Sequence, residues 1–241
     1  MNGALLHTLF DALAWLGAGA IGFLQARLHV IPTVPQTRQM PYIAAVLFGA
    51  GIGAYIFGTA NMLLSGHAEL ARSIEGAVAG GIIAVEFYKR AAGITARTGA
   101  RFALPFAVGV AIGRIGCYLA GLDDFTYGTP TTLPWGHDFG DGISRHPVQL
   151  YESAAMAAFA LLYLACLRGR VAYVINNGFM LAVAYYGLQR FVWEFFKPYG
   201  TILGPFTLFH LLSIALFAYA AVMIATAPDP GSTDERQRAA A

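Results

Sequence analysis

The sequence predicts an all-α, polytopic membrane protein with seven transmembrane helices, its N-terminus outside and its C-terminus in the cytoplasm. Hydrophobic residues make up 57% of the 241-residue chain and charged residues 12%, and the mean hydropathy is +0.59. Soluble domains are rarely so apolar. About twenty apolar residues cross a hydrocarbon core roughly 30 Å thick. Seven apolar stretches of that length are centred near residues 16, 53, 80, 111, 158, 185 and 216.

Little of the chain remains between these stretches. Residues 1–226 are therefore expected to form a single transmembrane helical domain, followed by a short disordered cytoplasmic tail at 227–241, which is polar and rich in small residues. There is no room for a separate soluble domain, so a catalytic site must lie within the helix bundle or at its faces. Apolar runs of this length also predict helices rather than the alternating strands of a membrane barrel.

Basic residues in the short loops predict the orientation. The loop at 120–147 carries four aspartates against one arginine, Arg145, and is expected outside. Because the net charge of +2 is spread over loops that flank the membrane, no nucleic-acid partner is expected, and the partner that the composition predicts is the lipid bilayer. The basic residues of the loops expected in the cytoplasm are Arg27, Arg38, Lys89, Arg90, Arg97, Arg101, Arg168 and Arg170.

Several of the predicted spans are rich in glycine. Span two contains FGAGIGAYIFG at 48–58 and span three contains GAVAGGIIAV at 76–85. Small residues let membrane helices approach closely, so helix packing is the expected role of these glycines. Asp11, early in span one, is either a solvated carboxylate or part of the wall of a polar cavity.

Arg114 lies in the fourth span, within GVAIGRIGCYLAG, with Gly113 and Gly116 beside it. An ionised side chain is costly inside a bilayer, so Arg114 marks a candidate functional site. It has no acidic neighbour in its own span and requires an anion from elsewhere. Three anions are possible: Glu152, Glu194, or the phosphate of a lipid, which a guanidinium binds through two parallel hydrogen bonds.

The long loop at 120–147 is rich in glycine, proline and aromatic residues, and we expect an ordered lid at the outer face. It leads into HPVQLYE at 146–152, where proline suits the first turn of a helix. His146 then lies at the start of the fifth span, and Gln149 and Glu152 share a helix face. An imidazole above a carboxylate is suited to proton abstraction. A capping histidine and an ion-paired glutamate are the alternative.

Span six ends in AYYGLQRFVWEFFKPYG, which places Arg190 and Glu194 four residues apart on one helix face. An ion pair between them lowers the cost of inserting both charges. It does not explain why the span carries either charge, so both residues are candidates for function.

No metal or cofactor is expected. The six histidines are scattered singly, and no group of Cys, His and carboxylate has the spacing of a zinc site. Cys117 and Cys166 lie near opposite ends of their spans, too far apart for a disulfide, and packing is the expected role of both.

Three of these segments resemble those of the bacterial prolipoprotein diacylglyceryl transferases. GRIGCYLAG resembles the family's signature segment, HPVQLYE its HPxQLYE motif and YGLQRFVWEFFK its YGxxRFxxEFxR segment. The resemblance covers most of the chain and implies seven spans in the bacterial plasma (inner) membrane. It also implies an activity: transfer of a diacylglyceryl group from phosphatidylglycerol to the thiol of the lipobox cysteine in a lipoprotein precursor, with release of glycerol phosphate.

The resemblance also implies roles for single residues. Arg114 and Arg190 match the family's essential arginines, which hold the phosphoglycerol headgroup, and Glu194 matches their partner carboxylate. The catalytic candidates are then His146, Glu152 and Glu194. The substrate-binding candidates are Arg114, Arg190, Gly113, Gly116, Gln149 and Tyr151.

Two positions depart from the family's pattern in a way that affects the chemistry. The histidine of the family's HGG segment is Ala79 here, and the asparagine that follows GRxG is Cys117. The base that accepts the proton of the thiol is then His146, His137 or Glu152. The alternative is a catalytically altered homologue that binds or moves phospholipid. A transporter is disfavoured, because no inverted repeat is evident and the polar residues cluster toward the outer half.

Overall fold

The computed structural model describes residues 3–27 and 38–227. Seven α-helices lie within them, one for each predicted apolar stretch, and the prediction of an all-helical fold is confirmed. Apart from its first residue, the tail expected at 227–241 lies outside the described residues. The helices are α1 (Gly3–Arg27), α2 (Gln39–Leu64), α3 (Ile74–Ala91), α4 (Ala103–Ala120), α5 (Val148–Arg168), α6 (Ala172–Glu194) and α7 (Leu208–Ala225).

Five of these helices, α1, α2, α4, α5 and α7, contain segments long and apolar enough to cross a membrane. The other two are more polar. The 18-residue α3 includes two glutamates, a lysine and an arginine. The second, α6, contains two asparagines and a glutamine as well as Arg190 and Glu194. The structure thus agrees with a polytopic membrane protein in which two helices carry much of the buried polarity.

The glycines of α2 and α3 bring the two helices into direct backbone contact. A Cβ atom at Gly53 would collide with the carbonyl oxygen of Gly76, and one at Gly80 would collide with that of Gly49. In contrast, a Cβ atom at Gly51, on another face of α2, would have nothing within 4 Å. The packing role predicted for these glycines is confirmed.

The central core explains how three charged side chains come together. Helices α4, α5 and α6 pack around a shared apolar cluster, while α1 lies along α4 and α7 along α6. Residues four apart share a helix face, and each charged residue lies one turn from a core residue on its own helix. The pairs are Val110 with Arg114, Met156 with Glu152, and Tyr186 with Arg190.

The loop at 121–147 folds over one end of the bundle. It contains a short hairpin, β1 (His137–Asp138) with β2 (Ser144–Arg145), and Arg145 pairs with Asp141 at 2.6 Å. Aromatic rings of the loop contact Tyr118 on α4. A second small hairpin, β3 (Thr201–Leu203) with β4 (Phe206–Thr207), connects α6 to α7. The loop is therefore an ordered part of the fold, as expected for a lid.

Candidate functional site

A cluster of buried charges lies between α4, α5 and α6. Glu152, on α5, is 1% exposed and accepts hydrogen bonds from Nε of Arg114 and, at 2.5 Å, from Nη1 of Arg190. Lys197, in the turn after α6, places Nζ 2.8 Å from the same oxygen that Arg190 contacts. Two guanidiniums from separate helices thus converge on one carboxylate. Of the three anions that the sequence allows for Arg114, the structure pairs it with Glu152.

Arg190 contacts two further carboxylates. Its Nη2 lies 2.9 Å from Oε2 of Glu194, and its Nε lies 3.3 Å from Oε2 of Glu75, on α3. Thr207 donates a hydrogen bond to Glu194 at 2.7 Å, and Ser213 donates one to Glu75 at 2.5 Å. Both carboxylates are buried. Helices α3, α6 and α7 therefore meet at Arg190 and fix the plane of its guanidinium.

Three cations and three carboxylates make up this cluster, so its formal charge is balanced. Balance is necessary because an ion buried without a partner costs on the order of several kcal/mol. A guanidinium has five N–H donors, so an arginine with three carboxylate contacts keeps donors for a further anion. Burial and the two neighbouring guanidiniums lower the pKa of Lys197 to about 7. Its charge near neutral pH thus depends on the contact with Glu152.

Sequence reasoning does not single out Glu75 or Lys197. Glu75 lies in the first turn of α3, just after the N-cap Ser73, where a carboxylate is ordinarily explained by the helix dipole. Lys197 follows the end of α6, where a lysine is ordinarily a membrane-flanking charge. Its position at the end of YGLQRFVWEFFK is the signal that could have identified it.

Gln149 is a buried polar residue on the same face of α5 as Glu152. It is 0% exposed, and within the described residues neither its amide nitrogen nor its amide oxygen has a hydrogen-bond partner. A buried amide left in this way costs about 1–3 kcal/mol per group. A polar ligand bound beside the charge cluster could supply the missing hydrogen bonds to the Gln149 amide.

His146 lies at the end of the loop at 121–147, and Tyr151 lies in the first turn of α5. Nδ1 of His146 is 3.4 Å from the Tyr151 hydroxyl, which accepts a hydrogen bond from the Trp135 indole at 2.9 Å. The structure gives neither residue an ion pair with the charge cluster. His137 packs among the aromatic rings of the loop and α4. The predicted candidates thus form two groups. Arg114, Glu152, Arg190 and Glu194 belong to the charge cluster, and His146 and Tyr151 form a separate polar group.

An apolar cavity of about 430 Å³ lies among the helices beside the cluster. Its lining includes Asp11 and Gly113 as well as Lys89 and Arg97. Most of the other side chains that line it are apolar, and the polar exceptions are Glu86, Thr98, Asn176 and Asn177. Such a lining suits hydrocarbon chains. Gly113 and Ile74, which precede Arg114 and Glu75 in the chain, line the cavity, whereas the six charged side chains of the cluster do not.

The two glycines that flank Arg114 have different surroundings. A Cβ atom at Gly116 would collide with Phe10, so this glycine allows α1 to approach α4. A Cβ atom at Gly113 would lie 3.9 Å from Ala14, an ordinary contact distance, which leaves this position open toward the cavity.

The position of the family's histidine is apolar in this chain. Ala79 is buried in a cluster with Val183 and Leu216 and offers no proton acceptor. Glu75 lies one turn earlier on the same face of α3 and contacts Arg190. The described part of α3 thus supplies a carboxylate to the cluster, one turn from the position where the resemblance implies a histidine.

Comparisons with known proteins agree with the segments found in the sequence. The family model for prolipoprotein diacylglyceryl transferase matches residues 42–226. Relatives that carry the name phosphatidylglycerol–prolipoprotein diacylglyceryl transferase match most of the chain. The one from Geobacter sulfurreducens is 34% identical over 187 residues, which cover 71% of this chain and 70% of the relative. The one from Methylococcus capsulatus is 28% identical over 242 residues, 92% and 89% of the two chains.

A third relative, from Cupriavidus necator, is 29% identical over 236 residues, which cover 83% of this chain and 85% of the relative. No solved structure shows a significant match. The family model covers well over half of the chain and spans the segments that carry Arg114, Glu152 and Arg190 in the charge cluster. The chain belongs to the prolipoprotein diacylglyceryl transferase family.

Proposed function

We propose that this protein transfers a diacylglyceryl group from phosphatidylglycerol to the thiol of a lipobox cysteine in a lipoprotein precursor, and releases glycerol phosphate. The observation that carries the proposal is the convergence of Arg114 and Arg190, from separate helices, on one anionic point next to an apolar cavity. A phospholipid matches these two features, because its phosphate can bind the arginines and its two hydrocarbon chains can occupy the cavity. The names of the relatives supply the reaction.

In this proposal Arg114 and Arg190 hold the phosphate. A phosphate that departs as a dianion in a site of low dielectric needs fixed cations close to it, and guanidiniums already held in place cost no reorganisation at that moment. Glu152 lies between the two arginines and Glu194 pairs with Arg190. We assign these carboxylates the task of orienting the guanidiniums.

Gln149 and Tyr151 are assigned to the glycerol headgroup. Gln149 has a buried amide with both a donor and an acceptor to offer, and Tyr151 offers a hydroxyl at the edge of the site. Gly113 keeps the path from the cavity to Arg114 open, and Gly116 sets the distance between α1 and α4.

The thiol must lose its proton, because the thiolate is the nucleophile. Its sulfur attacks the terminal glyceryl carbon of the lipid, a carbon–sulfur bond forms, and the bond from that carbon to the phosphate oxygen breaks. Glu152 is committed to three N–H donors and is poorly placed to accept a proton. We therefore assign proton acceptance to His146.

We further propose that all seven helices span the bacterial inner membrane, with the N-terminus and the loop at 121–147 outside. The excess of aspartate in this loop and of arginine and lysine in the others supports this orientation. The polar faces of α3 and α6 are buried against other helices and need not meet lipid.

The test is a transfer assay with the purified full-length protein in vesicles of labelled phosphatidylglycerol, to which a lipobox peptide is added. The expected products are the thioether-linked lipopeptide and an equal amount of glycerol phosphate. A peptide with serine in place of cysteine is the control and should give neither product. Binding of the lipid without either product would contradict the proposal and indicate a homologue that only binds or moves phospholipid.

A further inference from the structure

The apolar cavity is long and runs along the helices. Both Ile74 and Lys89 of α3 line it, and a separation of fifteen residues in an α-helix is a rise of about 22 Å. Pro105 and Gly113 of α4 also line it, with a rise of about 12 Å between them. The cavity thus has two distinct ends, one at Ile74 and Gly113 and the other at Lys89.

The end at Ile74 and Gly113 is bordered by charged side chains. Asp11 lines the cavity, and its Oδ2 lies 3.4 Å from Nη2 of Arg72, two residues before Ile74. Arg114 and Glu75 of the charge cluster follow Gly113 and Ile74 directly in the chain. A lipid whose phosphate lies at Arg114 therefore enters the cavity with its hydrocarbon at this end.

Asp11 is held in place by His7. Nδ1 of His7 lies 3.2 Å from Oδ2 of Asp11, and Nε2 lies 3.1 Å from Oδ1 of Asp124, in the turn after α4. An imidazole with a carboxylate at each ring nitrogen donates from both and is positively charged. Sγ of Cys117 is 3.8 Å from the same Nε2. This ion group ties α1 to α4 and gives the end of the cavity at Asp11 a fixed, charged border.

The opposite end is closed by polar side chains that are paired within the protein. The hydroxyls of Tyr42, on α2, and Thr98, in the loop before α4, lie 2.8 Å apart. Lys89 pairs with the glutamate three residues before it at 2.9 Å, and Arg97 donates to the carbonyl oxygen of Met223, on α7. All of these residues line the cavity. Hydrocarbon that advanced past them would break hydrogen bonds that it cannot replace.

We propose that the cavity holds the hydrocarbon of phosphatidylglycerol and that its closed end, formed by Tyr42, Lys89, Arg97 and Thr98, sets the acyl-chain length that the protein prefers. The inference rests on the proposed function for the identity of the lipid. A disordered chain covers about half of a hydrocarbon core roughly 30 Å thick, and an extended chain reaches further. The rise of about 22 Å from Ile74 to Lys89 is of this order.

Selection by length follows from the fit of the chain, since a chain in the bilayer already has hydrocarbon around it and gains little from apolar burial alone. A chain that is too short leaves a void, and the side chains around a void lose their dispersion contacts. A chain that is too long meets the closed end. The cavity therefore distinguishes lipids by the length of their chains.

Two residues of α3 allow the depth of the cavity to be changed. Gly81 lines it about halfway between Ile74 and Lys89, and a Cβ atom at this glycine would lie 3.7 Å from Cβ of Ala50, an ordinary contact distance. Val85 lines it one turn before Lys89. A larger side chain at Gly81 should shorten the cavity more than one at Val85.

The test is competitive binding to the purified full-length protein in detergent, with an equimolar mixture of dilauroyl, dimyristoyl, dipalmitoyl and distearoyl phosphatidylglycerol. The bound lipids are extracted and quantified by mass spectrometry. The native protein should retain the dipalmitoyl or distearoyl lipid in preference to the dilauroyl lipid. Gly81→Leu should change the ratio of bound dilauroyl to distearoyl lipid by about tenfold or more in favour of the shorter chains.

Val85→Phe should shift this ratio in the same direction by a smaller factor, and Val85→Ala should shift it toward the distearoyl lipid. Gly51→Leu is the matched control, because a Cβ atom at Gly51 meets nothing within 4 Å, and it should bind the four lipids as the native protein does. The Val85 variants decide the outcome if Gly81→Leu does not fold. Equal binding of all four lipids by the native protein would overturn the inference, as would unchanged ratios in the Val85 variants.

The transfer assay with the same four lipids and a lipobox peptide separates this inference from the proposed function. If the bound lipids shift as expected but none of them yields lipopeptide, the length selection stands and the proposed function fails. If lipopeptide forms from all four lipids and binding shows no dependence on chain length, the proposed function stands and the length selection is overturned.

Discussion

Among single residues, Glu152 is distinguished by being buried in contact with three cationic side chains. Its carboxylate contacts Arg114, Arg190 and Lys197, and almost none of it is exposed. Three cations held around one carboxylate depend on its charge, because without it they repel one another in a medium of low dielectric. Glu152 is therefore expected to matter for stability as well as for activity.

Glu152→Gln should destabilise the protein by about 3–5 kcal/mol, the usual cost of removing one partner from a buried ion pair, and should abolish transfer. Thermal unfolding in detergent and the transfer assay measure the two effects. Glu69→Gln changes an exposed glutamate in the same way and should leave both unchanged. An unfolding temperature for Glu152→Gln equal to that of the native protein would contradict the charge cluster as described.

Gln149 leads to the opposite prediction for stability. Gln149→Leu removes an amide without protein partners, so the unfolding temperature should stay the same or rise while KM for phosphatidylglycerol increases at least tenfold. Gln25→Leu, at another buried glutamine without described partners, should have the same effect on stability and none on KM. A lower unfolding temperature for Gln149→Leu would show that the amide has a structural role instead.

At the scale of helices, glycine determines which elements approach each other. The contact between α2 and α3 places backbone against backbone at Gly53 and Gly80, and it helps position α3, which carries Glu75 to the charge cluster. A change in the packing of α2 against α3 is therefore expected to shift Glu75 and to weaken its contact with Arg190.

Gly53→Ala should separate α2 from α3, lower the unfolding temperature and reduce transfer. Gly51→Ala is the matched control, because its added methyl group meets nothing within 4 Å. Alanine is favoured over glycine within a helix by roughly 1 kcal/mol, so this control should be as stable as the native protein or more so. Equal stability of the two variants would contradict the close contact of α2 with α3.

The helix positions, and the fact that Arg114, Arg190 and Glu194 need ion partners within the bundle, are predictable from the sequence, because apolar length and the cost of buried charge are local properties. The residues that these charges contact come from distant parts of the chain, so they cannot be predicted from the local sequence. Glu75 and Lys197 lie at helix ends, where charges are common for other reasons. Only the packing of α3 against α7 reveals that Glu75 faces Arg190, and only that of α5 against α6 reveals that Lys197 faces Glu152.

The same limit applies to His7, Cys117 and Asp124. Each of them has an ordinary explanation in its own segment, and the sequence offers no signal that the three converge. Their contact depends on the crossing of α1 and α4, which a pattern of apolar residues does not determine.

For the molecule as a whole, the proposed orientation places the charge cluster and the loop at 121–147 on the outer side. Thr132 and Thr95 are both exposed and lie in loops on opposite sides in this account. In intact spheroplasts, cysteine introduced as Thr132→Cys should react with a membrane-impermeant maleimide, and Thr95→Cys should react only after the membrane is permeabilised. The reverse pattern would contradict the orientation.

The central claim is that Arg114 and Arg190 bind one phosphate between them. The most direct measurement is an experimental structure of the protein with a phosphonate analogue of phosphatidylglycerol that cannot release its headgroup. We predict that oxygens of the one phosphonate lie about 2.7–2.9 Å from nitrogens of both guanidiniums, with the acyl chains in the apolar cavity. A phosphonate bound by only one of the two arginines, or bound elsewhere while both remain closed on Glu152, would contradict the account.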